Sequence, residues 1–330
     1  MKAIIPVAGA GKKLRPHTYT QPKALIPLAG RTVLSIIIDQ LYDEGIREFI
    51  FIIGYLGEKI QDYVEQNHKE IIPHFVQQND RQGTAHAIEL ARNVIGDDEV
   101  FVVLGDTICE YNLREVLDSP YSMLGVKKVE DPRNFGVAEI DDDGFIKKVV
   151  EKPQIPKSNM ALVGLYKIKE THFLFNCLTK IFTEDITTQG EYNLTDALEC
   201  MLQQGASFKS FKVDNWFDCG KKETILESNA TLLKKFGGHI VDEQQFENTI
   251  IIQPVRIAAH CNIKNSIVGP NVAIGEYATV ENSIVKDCII GAYSNLNETV
   301  LHNSLIGSDA TIKGVAQSLN IGDNTEIDLG

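Results

Sequence analysis

A short repeat in the last third of the chain constrains its fold more than any other feature of the sequence. An aliphatic residue recurs every five or six positions, often followed by glycine, and the spacing widens once before the final two repeats. The repeated positions are Val268, Ile274, Val280, Val285, Ile290, Leu296, Leu301, Ile306, Ile312, Ile321 and Ile327. One inward aliphatic residue on each side of a coil is typical of a parallel β-helix, whereas a β-sandwich alternates every second residue, with turns about every 8 to 12 residues. We therefore predict a parallel β-helix over residues 246–330.

The first 228 residues follow a different pattern, in which apolar runs typical of strands alternate with segments typical of helices. The predicted strands are Ala3–Val7, Glu48–Ile53, Pro73–Val76 and Glu99–Leu104, and the predicted helices are Thr32–Tyr42, Leu56–Gln66 and Thr84–Asn93. This alternation indicates an α/β domain with helices over a mostly parallel sheet. Such domains bind ligands beyond the carboxyl ends of their strands. Between the two domains, residues 229–245 are predicted to form a helical connector whose helix ends at Gly237 and Gly238.

Composition and charge exclude several classes of protein. A chain of 330 residues, 43% of them apolar, is long enough to bury about three quarters of its unfolded surface. The formal net charge of −13 has the wrong sign for a protein that coats nucleic acid or an anionic membrane, so a phosphate ligand needs a local basic site. No apolar run approaches the roughly 18 to 20 residues of a membrane span, and the cysteines form no CxxC pair. We predict a soluble, cytoplasmic protein without a disulfide framework or a zinc knuckle.

The loop after the first predicted strand has the chemistry of a polyphosphate site. It contains Ala8, Gly9, Ala10 and Gly11, followed by the cations Lys13, Arg15 and Lys23. Glycines at positions 9 and 11 allow backbone N–H groups to approach a phosphate closely. The three cations supply positive charge within an acidic protein.

Two common phosphate-binding motifs do not fit this loop. The dinucleotide fingerprint needs a third glycine and then a helix, but this chain has Leu14 there, and Pro16 and Pro22 interrupt the segment. A Walker A loop needs a hydroxyl residue after its Gly-Lys pair, where this chain has Lys13. Both alternatives are therefore excluded.

The stretch from Gly9 to Lys23 resembles the signature G-x-G-T-R-L-x-P-x-T-x-x-x-P-K of the sugar-1-phosphate nucleotidyltransferases, which make nucleotide-sugars such as dTDP-glucose, UDP-glucose and GDP-mannose. Further segments complete the resemblance in the family order: Gln78, Gly83–Ala87, Gly105–Asp106, Gly136–Val137, Glu151–Pro153, Gly164–Tyr166, Glu191–Leu198 and Trp216–Gly220. Several branches of the family also carry a left-handed hexapeptide β-helix. The resemblance covers the whole chain and implies a Rossmann-like nucleotidyltransferase domain joined to a left-handed parallel β-helix.

The resemblance also implies which residues bind each substrate. It assigns Gln78, Gly83 and Thr84 to the nucleotide base, and Gly136, Glu151, Lys152, Gly164 and Tyr166 to the sugar phosphate. Gln78 carries both a donor and an acceptor and suits the O4 and N3 edge of uracil or thymine. Lys23 and Lys152 are candidates for the phosphate of the sugar substrate, and Glu151 suits sugar hydroxyls.

Two carboxylates follow predicted strands. Asp106 comes after Val100–Leu104, and Asp218 comes at the end of the run Val213–Phe217 in a Trp-x-Asp-x-Gly turn. Mg²⁺ is a hard cation that takes oxygen ligands. We therefore predict Asp106 and Asp218 as ligands of Mg²⁺.

The loop departs from the family signature at one place. Where the family has Thr-Arg before Leu14, this chain has Lys12 and Lys13, so the arginine expected on the triphosphate is replaced by Lys13. Lysine keeps the charge but lacks the planar fork that binds phosphate oxygens in pairs. Arg15 is a partial substitute at a variable position of the family, and a non-catalytic nucleotide-sugar-binding protein is the alternative that this departure raises.

The predicted reaction joins a nucleoside triphosphate and a sugar 1-phosphate and releases pyrophosphate. Glucose 1-phosphate with dTTP or UTP is the first prediction. Mannose 1-phosphate with GTP and N-acetylglucosamine 1-phosphate with UTP are the alternatives. No nucleic acid or membrane partner is expected.

The β-helix is expected to serve assembly and docking. Its open ends expose strand edges that favour a partner, so a homo-oligomer is predicted, together with docking onto the catalytic domain. His260 and His302 raise the alternative of acyl transfer, since related hexapeptide enzymes use a histidine base. About four coils and no long insertion argue against it.

Overall fold

A computed structural model of the chain describes residues 1–240, 246–314 and 319–328. These residues form two compact units. The first, which we call the sheet unit, comprises residues 1–9 and 37–216. The second, which we call the β-helix unit, comprises residues 10–36 and the described residues from 217 onward. The loop after the first strand thus belongs largely to the β-helix unit, while the boundaries predicted at 228 and 245 stay predictions.

The elements are numbered here in chain order. The helices are α1 (Val33–Asp43), α2 (Gly57–Asn67), α3 (Thr84–Leu90), α4 (Arg92–Ile95), α5 (Leu113–Asp118), α6 (Thr171–Thr183), α7 (Leu194–Gln203) and α8 (Lys222–Phe236), with 3₁₀ turns at Lys12–Leu14, His17–Tyr19, Lys23–Leu25 and Pro132–Asn134. The first strands are β1 (Lys2–Pro6), β2 (Pro27–Leu28), β3 (Arg31–Thr32), β4 (Glu48–Ile53), β5 (Ile72–Gln77), β6 (Val100–Val103), β7 (Thr107–Glu110), β8 (Ser122–Lys128), β9 (Gly136–Ile140), β10 (Ile146–Glu151), β11 (Met160–Ile168), β12 (Phe208–Lys212) and β13 (Asn215–Asp218). The later strands are β14 (His239–Ile240), β15 (Ile250–Ile251), β16 (Val255–Ile257), β17 (Asn262–Lys264), β18 (Ile267–Val268), β19 (Val272–Ile274), β20 (Thr279–Glu281), β21 (Ile284–Lys286), β22 (Ile289–Ile290), β23 (Asn295–Asn297), β24 (Val300–His302), β25 (Leu305–Ile306), β26 (Thr311–Lys313), β27 (Asn320–Ile321) and β28 (Glu326–Asp328).

The sheet unit is built on one large sheet. Its strands run in the order β10-β9-β11-β6-β1-β4-β5, and β8 joins β11 to β12. Strands β6, β1, β4 and β5 are parallel, so Ile4 pairs with Ile50 on one side and with Val102 on the other. Strand β11 runs antiparallel to β6, β8 and β9, because β8 to β11 follow one another through connections without an α-helix. The predicted α/β fold is confirmed, and its parallel half is the half in which strands and helices alternate along the sequence.

The parallel strands are buried on both faces. Phe49 and Phe51 of β4 lie on one face, and Ile50 and Ile52 lie on the other, where α3, α6 and α7 contribute to the same core. Burial on both faces explains why β4 is a continuous apolar run rather than an alternating one.

The β-helix consists of three parallel sheets. Their strand orders are β14-β16-β19-β22-β25-β27, β15-β18-β21-β24 and β17-β20-β23-β26-β28. The repeated aliphatic positions predicted from the sequence all belong to its core, Ile327 only at the edge. The β-helix prediction is therefore confirmed.

The segment predicted as a connector contains the junction of helix and β-helix. Helix α8 begins at Lys222, ahead of the predicted Asn229, and ends at Phe236, followed by Gly237, whose φ of 77° favours glycine. Strand β14 already pairs with β16 of the β-helix. The rest of the predicted connector, residues 241–245, lies outside the described residues.

The three outer faces of the β-helix differ in chemistry. On the sheet of β16, the outward residues Ala273, Ile289 and Leu305 are buried, and Asn229 of α8 donates to the Asn271 carbonyl at 3.1 Å. The sheet of β17 carries polar outward side chains. The sheet of β15 carries an in-register aliphatic row: Ile250, Ile267, Ile284 and Val300.

None of the helices within the described residues combines the length and the apolar character needed to span a membrane. The six cysteines are all buried thiols.

Candidate active site

Residues 10–23, which we call the 10–23 loop, fold back on themselves within the β-helix unit. Gly11 has φ of 57°, and its carbonyl accepts a hydrogen bond from the Thr18 hydroxyl at 2.9 Å. A Cβ atom on Gly11 would lie 2.9 Å from Thr18 Cγ2 and 3.1 Å from Lys23 Cβ. Glycine is therefore required here for both conformation and space.

The predicted cations of this loop surround a buried leucine. Leu14 is fully buried, and Lys13 and Arg15 on either side of it are exposed. The Arg15 guanidinium lies 4.7 Å from the centre of the Tyr19 ring, a cation–π contact. Lys23 is half-buried in the third 3₁₀ turn. The loop thus presents Lys13 and Arg15 outward, and Arg15 has a partner within the loop.

The residues before this loop belong to the sheet unit. Ala8 is buried at the end of β1, and Gly9 is exposed, with no atom within 4 Å of the position that a Cβ would take. The backbone at Gly9 is therefore open on one side, as phosphate binding requires. Ala10 begins the part of the loop that lies in the β-helix unit.

Gln78 is buried at the carboxyl end of β5 and is held by its amide nitrogen. Its Nε2 atom lies 3.2 Å from the Gly83 carbonyl oxygen and 3.2 Å from His86 Nδ1. Because the Gly83 carbonyl can only accept, the amide NH₂ group faces it and the Oε1 atom is directed elsewhere. Both donors of Gln78 are thus engaged within the protein, and a ligand would meet its acceptor alone. His86 orients Gln78 and contacts the Phe182 ring edge-on.

Gly83 and Thr84 contact the segment Glu191–Leu198. A Cβ on Gly83 would lie 2.3 Å from the Tyr192 carbonyl oxygen, and the φ of Gly83 is 114°. The Ala85 amide donates to that carbonyl at 2.9 Å, and the Thr84 hydroxyl accepts from the Leu194 amide at 2.9 Å. We call residues 78–86 with these partners the Gln78 segment. Two separate sequence motifs therefore form one hydrogen-bonded structure.

The residues predicted for the sugar meet beside Gly136. Gly136 pairs with Glu151 across β9 and β10, and a Cβ at this position would lie 3.1 Å from both Glu151 Oε2 and Thr195 Oγ1. The Glu151 side chain is 11% exposed, and Lys152 Nζ lies 3.6 Å from Glu151 Oε1. The structure brings Gly136, Glu151 and Lys152 together and adds Thr195, which the sequence analysis named only within a longer motif.

Ionisable groups near Glu151 influence one another. Burial raises the pKa of Tyr166, and the charge of Glu151 raises it further. Burial also raises the pKa of Asp196; a hydrogen bond from Thr188 opposes this shift, and the charge of Glu151 adds to it. Tyr166 and Asp196 therefore lie in the field of the Glu151 carboxylate, and Tyr166 remains a neutral phenol at physiological pH.

The two predicted metal ligands lie in different units. Asp106 is half-buried between β6 and β7, where the Thr107 hydroxyl lies 3.3 Å from its Oδ1 atom. Leu104 just before it donates its amide to the Gly164 carbonyl at 3.0 Å, which places Gly164 beside the end of β6. Asp218 is the last residue of β13, and its side chain lies outside the described part of the structure. The carboxylate oxygens of Asp106 fit a hard cation such as Mg²⁺.

Another group of possible ligand atoms lies away from these residues. His68 Nδ1 is 3.2 Å from Glu70 Oε1 and 3.7 Å from Asp39 Oδ1, so two carboxylates lie beside this histidine. These contacts connect α1 to the end of α2. His260 in the β-helix stacks on Tyr277 with ring centres 4.7 Å apart.

Two families match the chain. The family described as nucleotidyl transferase matches residues 2–235, and the family described as the GlmU-like carboxyl-terminal hexapeptide matches residues 229–298.

Several relatives align with much or all of the chain. A low-salt glycan biosynthesis nucleotidyltransferase of Haloferax volcanii is 29% identical over all of both chains, and a glucose-1-phosphate thymidylyltransferase of Streptomyces antibioticus is 28% identical over 100% of this chain and 99% of its own. The bifunctional protein GlmU of Methanocaldococcus jannaschii is 38% identical over 76% of this chain but only 59% of its own length.

Among solved structures, a UDP-glucose pyrophosphorylase in complex with UDP-glucose superimposes with a TM-score of 0.62, covering 71% of this chain and 98% of that chain. At 23% identity, this likeness shows the shared fold.

Proposed function

This chain belongs to the nucleotidyl transferase family, and we propose that it transfers a nucleotidyl group from dTTP or UTP to glucose 1-phosphate, forming a nucleotide-sugar and pyrophosphate. The thymidylyltransferase relative supports this choice of substrates. The observation that carries the proposal is the Gln78 segment, in which motifs from residues 78–86 and 191–198 form one hydrogen-bonded structure in the sheet unit.

The reaction is an attack of a sugar-phosphate oxygen on the α-phosphorus of the triphosphate. A new P–O bond forms, the bond to the β-phosphate bridging oxygen breaks, and pyrophosphate leaves. Both reactants are anions, so the protein acts by positioning them and by neutralising charge. We assign Lys13 of the 10–23 loop to the triphosphate, with Arg15 as a partial substitute, and Lys23 to the sugar phosphate.

The base assignment follows from the acceptor of Gln78. Uracil and thymine carry a ring N–H at N3, which can donate to Oε1, whereas cytosine has no hydrogen on N3. Guanine also carries a ring N–H, at N1, so GTP stays an alternative. Mannose 1-phosphate with GTP and N-acetylglucosamine 1-phosphate with UTP stay the alternatives predicted from the sequence.

The sugar assignment follows from the residues around Gly136. Glu151 offers two acceptor oxygens, and Lys152 beside it offers a cation for the phosphate. Gly136, Gly164 and Tyr166 complete the proposed sugar-phosphate site. The missing side chain at Gly136 keeps space next to the carboxylate.

Mg²⁺ is the proposed cofactor. Asp106 and Asp218 would hold it, and a bound Mg²⁺ would offset the negative charge of the triphosphate. The cytoplasmic location stays a prediction.

Pyrophosphate release measured with dTTP, UTP, CTP and GTP, each paired with three sugar 1-phosphates, tests the proposal. We expect turnover with dTTP or UTP and glucose 1-phosphate, and none with CTP. Gln78→Met should lower kcat/KM for the preferred triphosphate about tenfold, while the control Gln82→Met, at an exposed neighbour, should not. Nucleotide-sugar binding without turnover for any pair would favour the non-catalytic alternative.

We also propose that a second copy of the chain is the protein partner, through the in-register aliphatic row on the sheet of β15. Ile250 is 58% exposed and Ile284 is 43% exposed, while the sheet of β17 is polar and that of β16 is covered. Identical rows can pack against one another in a symmetric contact. Light scattering on Ile284→Glu should show a smaller mass than the parent or the control Thr279→Glu.

A further inference from the structure

The 10–23 loop contacts the last described coil of the β-helix. The His17 side chain, 4% exposed, forms a short hydrogen bond between its Nε2 atom and Asn320 Oδ1. Because the amide oxygen can only accept, Nε2 carries the proton and donates it. Asn320 is the outward residue of β27, in register with Leu305 on the covered face. A residue of the loop is thus bonded to one 303 positions later in the chain.

A second pair of residues strengthens this contact. The Thr20 hydroxyl donates to Asp323 Oδ2 at 2.5 Å, and the other carboxylate oxygen of Asp323 accepts from the Ser308 amide at 2.8 Å. The previous coil therefore fixes the carboxylate that holds Thr20. Pro16, next to His17, packs on Gly322: a Cβ atom added to Gly322 would lie 3.1 Å from Pro16 Cβ.

The contact leads directly to the proposed phosphate-binding residues. Thr18, which lies between His17 and Thr20, is 1% exposed and donates to the Gly11 carbonyl. Gly11 in turn precedes the 3₁₀ turn that carries Lys13. A short chain of hydrogen bonds and packed atoms therefore runs from the terminal coil to the backbone that presents the cation.

We propose that the terminal coil, residues 319–328, positions the 10–23 loop for nucleoside triphosphate binding, with Asn320 and Asp323 as positioning residues. The inference rests on the proposed function of the loop. Neither residue is assigned to substrate; they act through His17 and Thr20. The loop contains only three short 3₁₀ turns, so without the coil it populates more conformations. If fewer molecules have the loop in the conformation that binds the triphosphate, the apparent affinity for the triphosphate falls in the same proportion.

The kinetic test compares Asn320→Ala and Asp323→Ala with Glu326→Ala, an exposed residue of the same coil on another face. The loss of one hydrogen bond should raise KM for the triphosphate about 3- to 10-fold. Lys23, assigned to the sugar phosphate, lies at the far end of the loop in a separate 3₁₀ turn, so KM for the sugar 1-phosphate should rise less than KM for the triphosphate. The kcat of both variants and all constants of the control should stay within about twofold. A parent-like KM for the triphosphate in both variants of an active enzyme overturns the proposal.

Two further variants separate positioning from general destabilisation. His17→Gln keeps an N–H donor and should stay near the parent, whereas His17→Ala should behave like Asn320→Ala. The double variant His17→Ala with Asn320→Ala should cost no more than either alone, because both remove the same bond. Additive losses, or equal losses for both substrates, would show a merely structural role.

Hydrogen exchange provides a readout that needs no turnover. The backbone amides of residues 10–23 should exchange about 3- to 10-fold faster in Asn320→Ala and Asp323→Ala than in the parent and Glu326→Ala. Unchanged exchange overturns the proposal. If the parent releases no pyrophosphate with any substrate pair, the proposed function fails, and the exchange experiment still decides whether the coil holds the loop.

Discussion

The Gln78 segment and the 10–23 loop are held by different kinds of structure. In the Gln78 segment, backbone groups of Gln82 and Ala85 bond to the backbone of Tyr192, and the Thr84 hydroxyl accepts from the Leu194 amide, next to a sheet and two helices of the same unit. Among the described residues, no strand pairs with the cationic part of the 10–23 loop, and side chains hold the loop to the last described coil of the β-helix. Backbone hydrogen bonds do not depend on side-chain identity, so most substitutions leave them in place, except at a glycine in a tight contact such as Gly83. A loop held by side chains can be loosened by single distant substitutions.

The largest expected effect concerns the two proposed Mg²⁺ ligands, since the bound ion would offset the charge of the nucleotide that both regions are proposed to bind. Asp106→Asn and Asp218→Asn should each lower turnover a hundredfold or more, because each removes a carboxylate from the proposed Mg²⁺ site. Circular dichroism should be unchanged. A variant that keeps more than about half of the parent turnover at saturating Mg²⁺ would exclude that residue as a ligand.

A glycine substitution tests the Gln78 segment, which is held mainly by backbone hydrogen bonds. Gly83→Ala places a Cβ 2.3 Å from the Tyr192 carbonyl oxygen at a φ of 114°, and should lower the free energy of unfolding by about 2 to 4 kcal/mol. Urea unfolding measures this change. The control Gly190→Ala, with φ of 79° but no atom within 4 Å of the added Cβ, isolates the backbone strain. Equal losses in the two variants would mean that the close contact with Tyr192 contributes nothing.

Substitutions of Lys13 and Arg15 test the 10–23 loop, which is held by side-chain hydrogen bonds. Lys13→Ala should lower kcat/KM for the triphosphate by a factor that corresponds to a loss of about 1 to 3 kcal/mol of transition-state stabilisation. Lys13→Arg should retain or raise kcat/KM, because arginine restores paired hydrogen bonds to the phosphate oxygens. Arg15→Ala should matter little, because Arg15 already stacks on Tyr19. Steady-state kinetics decide the ranking. The reverse order would show that Arg15 serves the triphosphate, and no loss in either variant would favour a non-catalytic protein.

The smallest expected effect is the pH dependence of one buried histidine. Burial lowers the pKa of His17, although the Asn320 hydrogen bond and the Asp323 charge oppose this shift. Below the ordinary histidine pKa of about 6.5, the unfolded chain therefore binds a proton that the folded chain does not. Stability should fall as pH decreases below this value, and His17→Gln should remove that part of the dependence. Urea unfolding of both proteins between pH 5 and 7.5 tests it; identical slopes would contradict the prediction.

The sequence predicted much of the fold because its signals were periodic. The inward positions of the β-helix follow from one repeated spacing, and the strand Glu48–Ile53 was predicted with the bounds that the structure has. The antiparallel strands β8 to β11 were not predicted, because no alternation with helices marks them. Helix α8 was predicted to start at Asn229 rather than Lys222, since charged residues in its first turns hide its buried face.

The candidate site was predicted as a set of residue types rather than as an arrangement. Lys13, Arg15, Glu151 and Lys152 were named for their chemistry, and their joint role stays a proposal. The orientation of Gln78 was not predictable, because it depends on the Gly83 carbonyl and on His86.

Local sequence therefore determined the two architectures and the chemical character of the loops, because periodicity and turn residues report backbone geometry and burial directly. Tertiary structure alone decided that Gly83 meets Tyr192 and that His17 meets Asn320. Such contacts join polar atoms separated by more than a hundred positions in the chain, and they depend on how whole elements stack. No local pattern encodes that stacking, so the support of the 10–23 loop by the last coil became visible only in the folded chain.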